Sequence, residues 1–188
     1  MDLEHVDRIT AGAVGDPGER TFYLQARTGS ELVTLILEKQ QVELLSASIL
    51  DILSRVGKET GEGPSEEELQ LEEPLEPVWR VGRLSIGYEE ERDRMVLELE
   101  ELVPEDEDEE GGEEGGEEDV EAEGVLPDLP EPDRIRMWAT REQMLALSRQ
   151  GAAVAAAGRP RCEFCGNPID PEGHTCPAMN GHRGPARR

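Results

Sequence analysis

An acidic segment in the second half of the chain sets the strongest limit on its fold. Residues 105–123 contain 13 Asp or Glu and no Lys or Arg. Such a segment cannot bury enough apolar surface to offset roughly 1–2 kcal/mol of backbone entropy per ordered residue. We therefore expect residues 104–132 to be a disordered linker or insertion. Residues 1–103 and 133–158 must then build one domain together, followed by a tail over residues 159–188.

The first part of the chain shows strand and helix periodicity in turn. Apolar and polar residues alternate or cluster over 6–13, 22–27 and 32–37, with turn residues between them, which predicts three strands. The segment 32–37 is apolar on both parities, so we expect an interior strand covered on both faces. Apolar residues at three-to-four spacing then predict a helix over 39–56 that ends at Gly57: Val42, Leu45, Ile49, Ile52, Leu53 and Val56.

The second part repeats this order after a loop over 58–77 that contains three prolines. Strands are predicted over 78–89 and 95–100, and a change of phase at Gly82 predicts a β-bulge there. A strand over 135–139 precedes Thr140 and Gln143, which have the spacing of a capping box and predict a helix that ends before Gly158. The predicted fold is α+β, with a mainly antiparallel sheet, two helices and a small C-terminal tail.

Charge and hydropathy exclude some classes of function. The net charge is −25, and an acidic surface repels phosphate backbones, which argues against nucleic-acid binding by the main domain. The N-terminus does not have the order of a secretory signal, and no apolar run approaches the roughly 20 residues that span a bilayer. We therefore expect a cytoplasmic protein that does not associate with membranes.

The tail contains all three cysteines of the chain. Cys162 and Cys165 form a C-x2-C pair, and His174 and Cys176 follow, a set of ligands that is typical of a tetrahedral zinc site. We favour His174 as the fourth ligand because it lies in the same turn as Cys176, and His182 is the alternative. Three sulfurs and one nitrogen would leave no position for water, so a structural Zn²⁺ is predicted rather than a catalytic one.

The tail has too few apolar side chains to fold by burial alone. Phe164, Ile169, Ala178 and Met179 would contribute about 5–9 kcal/mol if fully buried. Ordering some 20 residues costs on the order of 20–40 kcal/mol of backbone entropy. A bound metal would offset much of that difference. Two other interpretations stay open, namely a disordered tail with incidental cysteines and a redox-active dithiol.

No catalytic constellation is recognisable in the sequence. We therefore expect a non-enzymatic interaction or regulatory module, in which zinc supports a surface for a protein partner. One alternative is an enzyme or small-ligand binder that acts on a phosphorylated or nucleotide-like compound, where the polar residues 12–18 and 38–41 meet. Another alternative is nucleic-acid binding through the basic zinc tail.

Three segments carry a resemblance to a known family: AGAVGDPGERTFYLQAR, LEKQQVELL and CEFCGNPIDPEGHTCPAMNGHR. With these segments the chain resembles the actinobacterial conserved proteins called domain of unknown function 3090, roughly over residues 5–57, 78–102 and 133–183. The resemblance implies no catalytic residue, because the family is uncharacterised. The C-x2-C and Gly-His-x-Cys-Pro features of the family match this chain at Cys162, Cys165, His174 and Cys176.

Overall fold

The computed structural model describes residues 1–103, 131–158, 162–169 and 173–179, which contain seven strands, two helices and one 3-10 turn. These elements confirm the predicted α+β class. The strands are β1 (Asp2–Leu3), β2 (Arg8–Val14), β3 (Thr21–Thr28), β4 (Glu31–Leu37), β5 (Pro77–Glu89), β6 (Arg94–Glu101) and β7 (Arg134–Ala139). The helices are α1 (Lys39–Val56) and α2 (Arg141–Ala156), and the 3-10 turn is Pro177–Met179.

The strands form one sheet in the order β1-β7-β6-β5-β4-β3-β2. It consists of two antiparallel meanders, β2-β3-β4 and β5-β6-β7, as expected from a mainly antiparallel pattern. The meanders meet where β4 pairs in parallel with β5, and α1 is the crossover between these two strands. Two residues at the N-terminus add β1 in parallel to β7. That strand was not predicted, because a two-residue strand has no periodicity.

The position of β1 and β2 shows that the sheet is strongly curved. In a flat sheet these strands would lie at opposite edges, about 29 Å apart at the usual spacing. Leu3 and Arg8 are separated by five peptide units, which span at most about 18 Å. The linking residues approach both edges: the Val6 N–H donates to the Trp138 carbonyl at 3.2 Å, and the Asp7 N–H donates to the Arg27 carbonyl at 2.8 Å. The sheet therefore curls until its two edges are close together.

One apolar core joins the sheet to both helices. Helix α1 contributes Val42, Leu45 and Ile49, and α2 contributes Met144 and Leu147, all 2% exposed or less. The helices contact each other, α2 packs against β2 and β6, and α1 packs against β5. Burial of these side chains fixes both helices against the sheet.

Local chemistry sets the ends of the helices as the sequence predicted. The Glu38 N–H donates to Gln41 Oε1 at 2.8 Å where α1 begins, and Gly57 ends that helix in a left-handed conformation with φ of 65°. The predicted capping box of α2 is confirmed, since the Gln143 N–H donates to Thr140 Oγ1 at 3.1 Å and Gln143 Oε1 accepts from the Thr140 N–H.

The α1–β5 loop (residues 57–76) covers the outer face of β2, β3 and β4. Gln25, fully buried on β3, exchanges hydrogen bonds with the backbone of Glu72 at 2.9 and 2.8 Å and donates to Thr34 Oγ1 at 3.1 Å. Leu69 of the loop is 3% exposed. This cover explains why β4 is buried on both faces. The predicted bulge is confirmed too, because the register of β5 against β6 shifts between Val81 and Arg83.

The acidic segment falls within residues 104–130, outside the described residues, so its predicted disorder stays a prediction. The residues on either side of it are hydrogen-bonded to each other, because the Glu101 N–H donates to the Asp133 carbonyl at 2.8 Å. The division at residues 104–132 and the tail from 159 also stay predictions. Neither described helix is long and apolar enough to cross a membrane.

Candidate metal centre

Two short turns bring the Cys and His side chains of the tail together. Cys162 and Cys165 lie at either end of a tight turn, in which the Gly166 N–H donates to the Cys162 carbonyl at 2.8 Å. The Cys162 N–H in turn donates to the Asn167 carbonyl at 2.8 Å. Gly166 has φ of 74°, a conformation that a glycine adopts without steric cost. The second turn places His174 and Cys176 opposite the first.

The sulfur and nitrogen atoms of these four side chains surround one common position. The atoms of Cys162, Cys165, His174 and Cys176 all lie within 4.8 Å of one another. The Cys162 and Cys176 sulfurs are 3.8 Å apart, and Cys165 Sγ lies 3.2 Å from His174 Nε2. A tetrahedral Zn²⁺ with Zn–S bonds of about 2.3 Å requires sulfurs about 3.8 Å apart. The cluster could therefore hold a metal ion, and its donor set fits zinc.

Backbone N–H groups stabilise the thiolate form of Cys162. The N–H groups of Cys165 and Phe164 point at the sulfur of Cys162 and hold the pKa of that thiol below its ordinary value. The Asn167 N–H acts in the same sense on Cys165, but burial and the neighbouring sulfurs of Cys176 and Cys162 outweigh it and raise the pKa of Cys165. A second thiolate beside the first is thus disfavoured until a cation balances the charge.

Among the tail residues whose burial the structure describes, only Cys162 and Cys176 of the cluster are buried. Cys162 is 7% exposed and Cys176 is fully buried, whereas Phe164 between the first two ligands is 66% exposed. No residue of the tail belongs to the core cluster of the sheet and helices, within the part of the chain that the structure describes. Over residues 162–169 and 173–179, the tail is therefore shaped by these Cys and His side chains and not by an apolar core of its own.

The structure brings together the four residues that the sequence favoured, and His174 offers the one nitrogen atom of the group. That they ligate a metal stays a prediction. His182, the alternative ligand, lies outside the described residues. Spacing alone could find this cluster, because all four residues fall within 15 positions of the chain.

A pocket of about 380 Å³ lies where α1 begins, at the place that the sequence singled out for a small ligand. It is lined by Gly18 and by Glu38 and Lys39, which join two of the predicted segments. Arg20 and Arg80 also line it, and the sequence analysis missed them. Arg80 reaches the pocket because its strand pairs with β4 in the register Ile36–Arg80, which no local pattern reveals.

A second group of polar residues surrounds Asp93 in the β5–β6 turn. Tyr88 donates to its carboxylate, Lys58 Nζ lies 3.1 Å from it, and Arg141 Nε lies 3.2 Å from it. Arg141 also donates to the Glu59 carbonyl at 2.6 Å. The hydrogen bonds from Tyr88, Lys58 and Arg141 hold the pKa of Asp93 well below its ordinary value. Because these contacts join the α1–β5 loop, the turn and α2, we interpret the group as a structural clasp.

Fold and site together define a class of protein, an α+β domain with a curved, mainly antiparallel sheet that is followed by a Cys₃His cluster able to hold a metal ion. The chain matches the family model described as protein of unknown function (DUF3090) over residues 1–176, so it belongs to that family. The matched range contains all four cluster residues and ends at Cys176, before His182. No curated protein and no solved structure matches the chain.

Proposed function

We propose that the Cys₃His cluster binds a structural Zn²⁺ and that the chain is a non-enzymatic interaction or regulatory module whose tail depends on this ion. The observation that carries the proposal is the sulfur–sulfur distance of 3.8 Å within a set of four converging ligand atoms. Three sulfurs and one imidazole nitrogen complete a tetrahedral sphere, which suits an ion that holds a fold together and not one that activates water.

The exposure of the tail supports a structural role for the metal. The two buried side chains in the described part of the tail both belong to the cluster, so removal of the ion would leave little to hold the two turns together. Structural zinc contributes an apparent ~10–16 kcal/mol in finger peptides at neutral pH, enough to order a short segment. The core of the sheet and helices would persist without it, because that core contains no residue of the tail.

The partner surface that we propose is the knuckle around Phe164. This aromatic side chain is 66% exposed between Cys162 and Cys165, where metal binding would fix its position. Exposed aromatic side chains on a rigid turn lose little conformational entropy when a partner covers them. A protein partner is therefore proposed for the tail, with zinc as the element that presents the surface.

Metal analysis tests the first half of the proposal. Purified wild-type protein should contain about one Zn²⁺ per chain, and Cys162→Ser should lose it, because three ligands rarely retain a structural ion. Phe164→Ala is the matched control and should keep the metal, since its side chain is not a ligand. Amide exchange should show that Cys162 and Gly166 lose protection on chelation while α1 stays protected. Full zinc occupancy in Cys162→Ser would contradict the assigned ligand set.

Affinity capture with the same variants tests the second half. Proteins retained by the wild-type chain should be lost with both Cys162→Ser and Phe164→Ala, although only the first variant lacks zinc. Partner binding that survives in both variants, and also survives chelation, would refute a role of the tail in recognition. It would leave the metal assignment intact, since that assignment has its own measurement.

A further inference from the structure

The pocket at the start of α1 has walls from several separate parts of the fold, including Gly158 after α2 and Pro168 of the tail. The carboxyl end of β4 leads directly into α1 there, β5 contributes Arg80, and Arg20 lies immediately before β3. Phe22 and Ile36 supply an apolar wall. A volume of about 380 Å³ is within the range of pockets that bind small organic molecules.

The charge of this pocket is opposite to that of the chain. Arg20, Lys39 and Arg80 line it against a single carboxylate, that of Glu38, which pairs with Arg80. Lys39 Nζ also lies 3.4 Å from a carboxylate oxygen of Glu43, a residue that is not part of the pocket wall. The lining thus has two more positive than negative charges, on a protein whose net charge is −25.

Two of the cations are held close together without a shared carboxylate. A methyl group placed on Gly158 would lie 3.2 Å from Arg20 Nη2 and 3.8 Å from Lys39 Nζ, so these nitrogens are at most 7.0 Å apart. The guanidinium of Arg20 donates to the Val154 carbonyl at 3.3 Å and lies over the Phe22 ring at 5.7 Å. Among the described residues no carboxylate lies within 4.0 Å of Arg20. Its charge is therefore oriented by neutral groups and is open to an anion.

We propose that this pocket binds the phosphate group of a small organic molecule. A phosphate ester has up to two negative charges and several acceptor oxygens, which match the two excess cations and the fork-shaped donors of Arg20. The Gln41 N–H of the first turn of α1 donates to the Glu38 side chain, so the Lys39 and Gln40 N–H groups are the ones that would add donors here. The organic part of the ligand would lie against Phe22 and Ile36. All three cations belong to the body of the fold, whereas Pro168 of the tail also lines the pocket, so the proposal rests on the cations and not on the metal.

Titration of the full-length protein with inorganic phosphate and with phenyl phosphate, followed by calorimetry or by NMR, tests this proposal. We expect saturable binding of both compounds and tighter binding of phenyl phosphate, because its ring can cover the apolar wall. Arg20→Gln and Lys39→Gln should each weaken binding roughly tenfold, the effect of losing one charge-assisted hydrogen bond. Arg20→Lys should retain more affinity than Arg20→Gln.

Arg55→Gln is the matched control, because it removes one positive charge from the opposite end of α1. It should leave both affinities unchanged. Lys39 is 45% exposed, so its substitution tests the site without disturbing the core if Arg20→Gln proves unstable. Absence of saturable binding of either compound, or wild-type affinity in both Gln variants, would overturn the proposal. Malonate binding as tightly as phosphate would overturn the assignment of phosphate and point to a dicarboxylate.

Discussion

At the residue scale, Asp93 is a carboxylate whose ionisation we expect to stabilise the fold. Its pKa is lowered by hydrogen bonds from Tyr88, Lys58 and Arg141, so its stabilising contribution is complete above the unfolded pKa of about 3.9 and is lost as the pH falls towards the folded value. Asp93→Asn should therefore lower the melting temperature at pH 7, and the difference from wild type should shrink as the pH falls below about 4. Thermal melts across this range would measure it.

Asp51→Asn provides the comparison for that experiment. Asp51 pairs with Arg55 on the exposed face of α1, where ion pairs contribute little, so its replacement should have almost no effect at any pH. If the difference in melting temperature between Asp93→Asn and wild type stays constant from neutral to acid pH, the negative charge of Asp93 does not contribute to stability.

Sequence reasoning located individual residues where the relevant neighbours are local. The four residues of the cluster share one short segment, so their spacing was enough to bring them together. Arg20 and Arg80 lie 60 positions apart, and both line one pocket because β4 and β5 pair in parallel. Gly12 lies within β2, where a methyl group would come within 2.4 Å of Leu71 Cγ, a residue 59 positions away. Long-range packing decides both cases.

The contact between the two helices depends on small side chains. Gly151 of α2 lies against α1, where an added methyl group would be 2.5 Å from Ser46 Oγ and 3.2 Å from Val42 Cγ1. Ser148 Oγ donates to the Ser46 carbonyl at 2.8 Å on the same seam. Gly151→Val should destabilise the protein by about 1–3 kcal/mol through overpacking, measured by urea unfolding.

The neighbouring Ala152→Val is the matched variant, because residue 152 is exposed on the same helix. It introduces the same β-branched side chain and should cost only a few tenths of a kcal/mol from lower helix propensity. Since valine has a higher helix propensity than glycine, a loss at residue 151 must come from the close approach of the helices, and unchanged or higher stability of Gly151→Val would contradict the overpacking.

At the scale of elements, the sequence predicted what periodicity and capping chemistry encode. Both helices, the bulge after Val81 and a mainly antiparallel sheet were anticipated from patterns of a few residues. The parallel pairing of β4 with β5 and the curvature of the sheet were not. These features arise because α1 must cross from one meander to the other and because a short linker joins strands at opposite edges. No local pattern records either constraint.

At the scale of the whole molecule, the acidic segment connects two adjacent strands of the sheet, β6 and β7. Since β6 and β7 are antiparallel neighbours and Glu101 bonds Asp133, the described ends of the segment lie at hairpin distance. Replacing residues 104–130 by a four-residue Gly-Ser linker removes 14 acidic residues and should preserve the fold. Shortening the loop should stabilise the protein by about 1–2 kcal/mol through lower loop-closure entropy.

Chemical denaturation and zinc content of this shortened protein would check the prediction. A matched control keeps the wild-type length but replaces each Asp and Glu of the segment by Asn or Gln. It separates the effect of charge on stability from the effect of loop length. Loss of folding in the shortened chain alone would show that the segment contributes contacts that the sheet requires.

The order of the sheet also has a consequence for how the chain is made. Its first two strand residues, Asp2 and Leu3, pair with β7, and β2 packs against α2. A ribosome that has released only residues 1–103 has therefore produced a nascent polypeptide with neither its N-terminal pairing partner nor the helix that covers β2. Completion of the fold must wait until translation reaches the last helix.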